Sequence, residues 1–136
     1  MKILVTGSNG LLGQKLTTLL NRDPSVYLIA TARGKSALPI NHGEFQSLDI
    51  TDQTAVNNIV ASSRPDVIIN TAAMTQVDQC ELERDACWKV NVTAVENLIN
   101  ASIANHVHLV HVSTDFIFDG TRELLDETAE PNPVNY

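Results

Sequence analysis

The chain has 136 residues, 43% of them hydrophobic, so it is long enough for one hydrophobic core and too short for two. Its formal net charge of -7, with only nine Lys and Arg residues, excludes the broad basic surface that nucleic-acid binding needs. No apolar run approaches membrane-spanning length and the first strand begins at Lys2, so we expect a cytoplasmic protein with neither a nucleic-acid nor a membrane partner.

The first predicted strand, Lys2 to Thr6, runs into a glycine-rich loop, Gly7-Ser8-Asn9-Gly10-Leu11-Leu12-Gly13. Gly7 can adopt backbone angles closed to other residues, Gly10 lets the main chain approach a phosphate, and Gly13 allows a helix to pack closely on the strand. The spacing GxxGxxG is one residue longer than the commonest dinucleotide fingerprint, but an apolar strand before it and a leucine-rich helix after it supply the context. We therefore predict that this loop and the helix N-terminus bind a dinucleotide pyrophosphate, with an ordinary glycine turn as the alternative.

The remaining elements continue to alternate between strands and helices. Further strands are predicted at residues 26–32, 44–48, 67–70 and 108–113, and a long helical region at about 78–105 with a possible break near Arg84. The first helix is expected to bury a leucine face, and the second an aliphatic one; these faces are Leu11, Leu12, Leu16, Leu19 and Leu20, and Ala55, Val56, Ile59 and Val60. Right-handed crossovers then give an α/β, three-layer Rossmann fold with the parallel sheet order 3-2-1-4-5, and residues 1–136 form one NAD(P)-binding domain.

The two cysteines, Cys80 and Cys87, lie in the long helical region. They form no CxxC motif and have no grouped histidines beside them, which argues against a zinc site and against a disulfide framework. We therefore expect buried or half-buried free thiols and no metal.

The residues after the second strand bear on cofactor choice, because ligands gather at the carboxyl ends of such strands. An NAD-selective site would place a carboxylate there to bond the ribose hydroxyls, but this chain has Arg33 and Lys35 instead. Two cations attract a 2'-phosphate, so we predict a preference for NADP(H), with NAD(H) still possible. A solvated basic loop is the alternative.

Weaker signals follow the third and fourth strands. Asp49 and Ile50 can bracket an adenine, with Asp49 accepting from its amino group, although capping of the next helix by Asp49 or Asp52 is the alternative. Three small residues after the fourth strand would let a cofactor lie against the backbone, and a tightly packed turn would need them too; they are Thr71, Ala72 and Ala73.

Polar residues in the last third of the chain complete the candidate site. Asp78 followed by Glu81 resembles a capping box, so we interpret both as structural. Asn91 lies mid-helix, where Asn is a poor helix former, and is expected to bond a backbone group or a water near the site, an exposed position being the alternative. Ser113 at the end of the fifth strand and Thr114 directly after it place two hydroxyls where a nicotinamide and a substrate carbonyl would meet.

Five segments, taken together, are far more specific than the glycine loop alone. They are Thr6-Gly7-x-x-Gly10-x-x-Gly13, the run from Pro65 to Ala73, Val77-Asp78-x-x-Glu81, Val90-Asn91, and Ser113-Thr114-Asp115-Phe116-Ile117-Phe118-Asp119-Gly120. In these segments the chain resembles the N-terminal part of extended short-chain dehydrogenases/reductases, most closely the dTDP-4-dehydrorhamnose reductases. The resemblance implies NADPH-dependent reduction of a 4-keto sugar nucleotide, with Thr114 bonding the substrate carbonyl and Tyr136 as the proton donor.

The resemblance also implies that part of the machinery is missing. A free tyrosine has a pKa of about 10 and needs a nearby cation, which in the family is a lysine one helical turn after the tyrosine. This chain stops at Tyr136, so we expect an incomplete domain, without the substrate-binding region and inactive alone. The alternatives are an extended-family epimerase or dehydratase, a non-catalytic NADP-binding regulatory subunit of the methionine adenosyltransferase beta type, and a nucleotide-binding module with another ligand. The sequence leaves the oligomeric state open, a homodimer included.

Overall fold

Five parallel strands form one sheet in the order β3-β2-β1-β4-β5, as predicted. In this computed structural model, which describes residues 1–135, the strands are β1 (Lys2–Thr6), β2 (Tyr27–Ala32), β3 (Gly43–Ser47), β4 (Val67–Asn70) and β5 (His108–His111). The sheet order confirms the Rossmann prediction, because the strand order reverses between β1 and β4 and leaves a crevice at their carboxyl ends.

Helices occur in the regions where they were predicted. They are α1 (Leu11–Leu20), α2 (Gln53–Ser63), α3 (Val77–Leu82), α4 (Arg84–Trp88) and α5 (Ala94–Asn105), with a π-helical turn at Lys89–Thr93 and a 3-10 turn at Asp115–Ile117. The expected break in the long helical region occurs at Glu83, whose backbone has φ -120° and ψ 54°. Within residues 1–135, no helix combines the length and apolar character needed to cross a bilayer.

The sheet separates two hydrophobic clusters because alternate side chains of each strand point to opposite faces. Leu4 of β1 packs with α2 and α5 on one face, where Val56 and Leu98 are buried. Ile3 and Val5 of the same strand pack on the other face, against α1. Both faces of β1 are covered, which explains its continuous apolar run.

The predicted leucine face of α1 is partly wrong. Leu11, Leu12 and Leu19 are 83%, 50% and 66% exposed, whereas Gly13 and Thr17 are buried. The glycine is the point of closest approach to the loop before the helix, so the face that contains Gly13 turns inward. Leu16 and Leu20, which share that face, pack against the core as expected.

The two capping predictions had different outcomes. Asp52 caps α2, since its carboxylate accepts a hydrogen bond from the Ala55 N–H at 3.0 Å. The capping box at Asp78 and Glu81 is wrong, because α3 begins at Val77 with Gln76 as its N-cap, so Asp78 lies inside the first turn. Glu81 instead forms a 2.6 Å ion pair with Arg84, three residues on.

Candidate functional site

The glycine loop is packed too closely for side chains at two of its positions. Gly7 has φ +69°, and a Cβ there would lie 2.7 Å from the backbone nitrogen of Ala72. A Cβ on Gly13 would lie 2.1 Å from the carbonyl oxygen of Gly7. The loop therefore folds back onto the first turn of α1 and rests against the segment that follows β4.

The N-terminus of α1 opens beside this loop. Gly10 is its N-cap and has no side chain that could cap the helix, and the first turn carries no carboxylate. The N–H groups of Leu11, Leu12 and Gly13 have no carbonyl one turn earlier in the helix, so their positive partial charge is available to an anion. This arrangement suits a phosphate.

Ser8 adds a second observation at the loop. Its backbone N–H donates to the carbonyl of Thr31 at 3.0 Å, but its buried hydroxyl has no hydrogen-bond partner within residues 1–135. Leaving such a group unsatisfied costs about 1–3 kcal/mol. A ligand oxygen that reached this hydroxyl would remove the penalty.

Asn9 clamps the loop after β2 onto the glycine loop. Its Nδ2 donates to the carbonyl of Lys35 at 2.9 Å, and its Oδ1 accepts from the N–H of Ala37 at 2.9 Å. The cations Arg33 and Lys35 therefore lie on a loop fixed to the first β-to-α junction. The sequence placed Asn9 in the site but did not reveal this role, which depends on a contact between distant loops.

Asp49 lies at the same end of the sheet, after β3. Its Oδ1 accepts from the N–H and the hydroxyl of Thr51 at 2.9 and 2.8 Å. The Thr51 N–H bond, the Thr51 hydroxyl and the charges of Arg33 and Lys89 lower the pKa of Asp49. Arg33 and Lys89 both act on the Asp49 carboxylate, so both approach the same region. The sequence analysis did not identify Lys89, because nothing in its spacing distinguishes it from other lysines.

Thr71 and Ala72 connect the end of β4 to the glycine loop. The hydroxyl of Thr71 donates to the carbonyl of Thr6 at 2.7 Å, and the N–H of Ala72 donates to Oδ1 of Asn70 at 3.2 Å. Ala73 follows and is exposed. These small residues pack closely against Gly7, in agreement with the packing interpretation.

Asn91 bonds a backbone group, as predicted. Its side chain pairs with both the N–H and the C=O of Met74, and it lies in the π-helical turn Lys89–Thr93. Such turns often occur at functional sites. Asn91 also lines a cavity of about 270 Å³ together with Cys87, Trp88 and Asn135.

The hydroxyl of Thr114 caps the 3-10 turn after β5. It accepts from the N–H of Phe116 at 3.2 Å and donates to Oδ1 of Asp115 at 3.3 Å. Ser113 and Thr114 are exposed. Tyr136, the predicted proton donor, lies outside the described residues.

The two cysteines are free and buried, as expected. The hydrogen bond between the thiols of Cys80 and Cys87, together with burial and the neighbouring Glu81 and Glu83 charges, raises the pKa of Cys80 to about 11. In the described part of the chain, no three metal-ligating side chains come together.

A comparison with protein families adds to this geometry. The family model described as the RmlD substrate binding domain matches residues 1–136. The chain belongs to this RmlD family. The family resemblance inferred from the motifs is therefore confirmed.

Named relatives of this RmlD-family chain differ in role. It is 40% identical over 119 residues to the dTDP-4-dehydrorhamnose reductase of Aggregatibacter actinomycetemcomitans, covering 88% of this chain and 36% of that protein. It is 31% identical over 134 residues to methionine adenosyltransferase 2 subunit beta of Bos taurus, covering 98% of this chain and 38% of that protein. The chain thus spans less than half of the length of either relative.

A solved structure of an RmlD-family relative contains a cofactor. The dTDP-4-dehydrorhamnose reductase of Bacillus anthracis, determined in complex with NADP, superposes with a TM-score of 0.76 at 32% identity. The superposition covers 98% of this chain and 44% of that one.

Within residues 1–135, most of the predicted site residues of this RmlD-family chain lie at the carboxyl edge of the sheet. Thr6, Asn70 and His111 are in register at the carboxyl ends of β1, β4 and β5, so the loops that follow these strands are neighbours. The glycine loop, the Arg33 loop and the segment that begins at Thr71 are joined by direct contacts. Ser113 and Thr114 follow β5 on the other side of the crevice.

Proposed function

We propose that this chain forms the NADP(H)-binding part of a cytoplasmic reductase that acts on a 4-keto sugar nucleotide. The observation that carries the proposal is the cradle made by Gly7, Gly13 and the uncapped N-terminus of α1. Its reductase relatives, one of them solved with NADP, support the choice of reaction and cofactor.

The residues of the cradle suit a dinucleotide. The N–H groups of Leu11, Leu12 and Gly13 would hold the pyrophosphate, with the loop residues Ser8 to Gly10 around it. Arg33 and Lys35 would bind the 2'-phosphate, and Arg33 is the better ligand because its planar guanidinium can form two parallel hydrogen bonds.

The other predicted ligands surround the rest of the cofactor. Asp49 and Ile50 would border the adenine, and the Thr71-Ala72-Ala73 segment would face the middle of the cofactor. Asn91 would act at a distance, by fixing the Met74 backbone.

Thr114 is suited to orient a ketone. NADPH, when bound, supplies the hydride that reduces the ketone carbon. The N–H of Phe116 holds the Thr114 oxygen in place, while the hydroxyl proton is engaged only in a long 3.3 Å bond to Asp115. The hydroxyl can therefore turn and donate to a ketone oxygen without loss of its backbone contact, and Tyr136 is the proposed proton donor.

We infer that the substrate region and the cation beside Tyr136 belong to a longer protein. Coverage of 36% to 44% of the relatives supports this inference. The 136-residue chain alone is then expected to bind cofactor without turnover.

Calorimetric titration with NADP+ and NAD+ tests the proposal. NADP+ is expected to bind about tenfold more tightly, because each added phosphate–cation contact in water contributes roughly 1 kcal/mol. Equal affinity would contradict the 2'-phosphate role of Arg33 and Lys35. Absence of binding by both nucleotides would contradict the proposed function.

A second candidate is a non-catalytic NADP-binding regulatory subunit. The 31% identity to methionine adenosyltransferase 2 subunit beta over 98% of the chain favours it. Both candidates bind NADP(H), so affinity does not separate them. If the complete protein consumes NADPH when a 4-keto sugar nucleotide is added, the result supports the reductase. If it consumes no NADPH, the result supports the regulatory subunit.

A further inference from the structure

A row of polar residues crosses the sheet at its carboxyl edge. The residues in register there are Gln46, Thr31, Thr6, Asn70 and His111, one from each strand. The next row inward is mostly apolar, with Val5 beside Ile69. The polar row lies directly beneath the loops of the candidate site.

Three members of this row are joined side chain to side chain. The hydroxyl of Thr6 donates to Oδ1 of Asn70, and Nδ2 of Asn70 lies 3.0 Å from Nδ1 of His111. Asn70 and Thr6 are buried, whereas His111 is exposed. The bonded series therefore runs from the centre of the sheet to its β5 edge.

The backbone of Ala72 fixes the orientation of the Asn70 amide. A backbone N–H can only donate, and that of Ala72 points at one atom of the Asn70 side chain at 3.2 Å, so this atom is the oxygen. The atom facing His111 is then the NH2 group, which can only donate. Nδ1 of His111 must accept, so the ring is neutral with its proton on Nε2.

The same series reaches the glycine loop. The N–H of Ala72 donates to Asn70, and Ala72 also packs closely on Gly7. A Cβ added to Gly7 would lie 2.7 Å from the Ala72 nitrogen. His111 lies two residues before Ser113, on the substrate side of the crevice. The bonds thus join β5, which leads to the candidate substrate contacts, to the segment at Ala72 that packs against the glycine loop.

We propose that His111, as the neutral Nε2–H tautomer, is a positioning residue for the cofactor site. Its Nδ1 holds the Asn70 amide, and Asn70 holds the Ala72 backbone against Gly7. The part of this inference that concerns the cofactor rests on the proposed function.

The test uses three variants of the 136-residue chain. In His111→Asn, an amide oxygen can take the place of Nδ1 as acceptor, whereas His111→Leu keeps the bulk and removes the acceptor. His108→Leu is the matched control, because His108 is an exposed residue of the same strand on the opposite face. All three are examined for NADP+ affinity by calorimetry and for amide exchange at Ala72 by NMR.

His111→Leu is expected to weaken NADP+ binding and to accelerate Ala72 exchange, each about tenfold, the usual effect of one lost hydrogen bond. His111→Asn should stay within about twofold of wild type on both measures, and so should the His108→Leu control. If His111→Leu behaves like the control, or His111→Asn behaves like His111→Leu, the positioning role is wrong.

NMR of the histidine ring nitrogens separates this inference from the proposed function. The wild-type chain should show His111 protonated at Nε2 and not at Nδ1, whether or not NADP+ binds. A proton on Nδ1 near neutral pH would overturn the inference. If the chain fails to bind NADP+ but shows the expected tautomer and Ala72 exchange pattern, the proposed function falls and the structural link between His111 and Ala72 stands.

Discussion

Asn91 pairs with Met74 through both halves of its amide. Nδ2 of Asn91 donates to the Met74 carbonyl at 2.9 Å, and Oδ1 accepts from the Met74 N–H at 2.8 Å. The pair ties the loop after β4 to the π-helical turn before α5, and it explains why a poor helix former is found there.

Replacing Asn91 with Ala removes both bonds and leaves the partly buried Met74 peptide unsatisfied. The free energy of unfolding should fall by about 1–3 kcal/mol in urea titrations. Asn91→Asp should also destabilise the chain despite its equal size, because a carboxylate oxygen would face the Met74 carbonyl. Asn100→Ala, at an exposed position of α5, should change the stability by no more than about 0.5 kcal/mol; an equal loss in that control would refute the specific role of Asn91.

Gly10 and Gly13 should respond differently to the same added methyl group. A Cβ on Gly10 would lie 3.3 Å from the Gly7 carbonyl, and the φ of -72° suits alanine, so Gly10→Ala should fold. Its methyl group would enter the path of the pyrophosphate and weaken NADP+ binding about tenfold or more, as measured by calorimetry.

In Gly13→Ala the added atom would lie 2.1 Å from the Gly7 carbonyl oxygen. The loop must then shift, at a cost of about 1–3 kcal/mol in unfolding free energy. Unchanged stability of Gly13→Ala, or unchanged affinity of Gly10→Ala, would contradict the geometry assigned to this loop.

Arg33→Glu should reverse the nucleotide preference. The new carboxylate would repel a 2'-phosphate and could accept from ribose hydroxyls, so NADP+ should bind more weakly and NAD+ no more weakly than before. Arg22→Glu, an exposed change of the same charge next to α1, controls for net charge. If the ratio of NADP+ affinity to NAD+ affinity is the same in Arg33→Glu and Arg22→Glu, Arg33 is not the residue that discriminates between the two nucleotides.

The raised pKa of Cys80 should make the stability of the chain fall at alkaline pH. Its pKa is raised to about 11 in the folded chain, against about 8.5 for a free thiol, so folding favours the protonated form. The resulting contribution is fully present below about pH 8.5 and is lost as the pH rises toward 11. In urea titrations between about pH 8.5 and 11, Cys80→Ala should therefore lose less unfolding free energy than wild type. If the unfolding free energies of the two proteins fall in parallel with pH, Cys80 does not titrate in this way.

The strands, the helices and the order of the sheet could be predicted because the signals for the individual elements are local. The apolar run at Val67–Asn70 predicts a buried strand, and the glycines before α1 predict a loop that leads into a helix. The buried face of α1 could not be predicted from leucine spacing alone, since the close contact of Gly13 with Gly7 decides which side turns inward.

The contacts that the sequence did not reveal join residues that are distant in the chain. Asn9 reaches Lys35, and Asn70 reaches His111 41 residues away in the chain. The second pair depends on strand register and the first on the approach of two loops, and periodicity encodes neither. The influence of Lys89 on Asp49 has the same kind of origin, because the loop after β3 approaches the π-helical turn that contains Lys89.

Backbone NMR during titration with NADP+ shows whether the cofactor binds at the first β-to-α junction. If the first β-to-α junction grips the pyrophosphate, the amide signals of Gly10 to Gly13 should shift most, together with the Arg33 loop. The Gly10→Ala variant should lose these shifts at the same nucleotide concentration. Signals that stay unchanged at the junction, or that shift mainly elsewhere in the chain, would contradict the account.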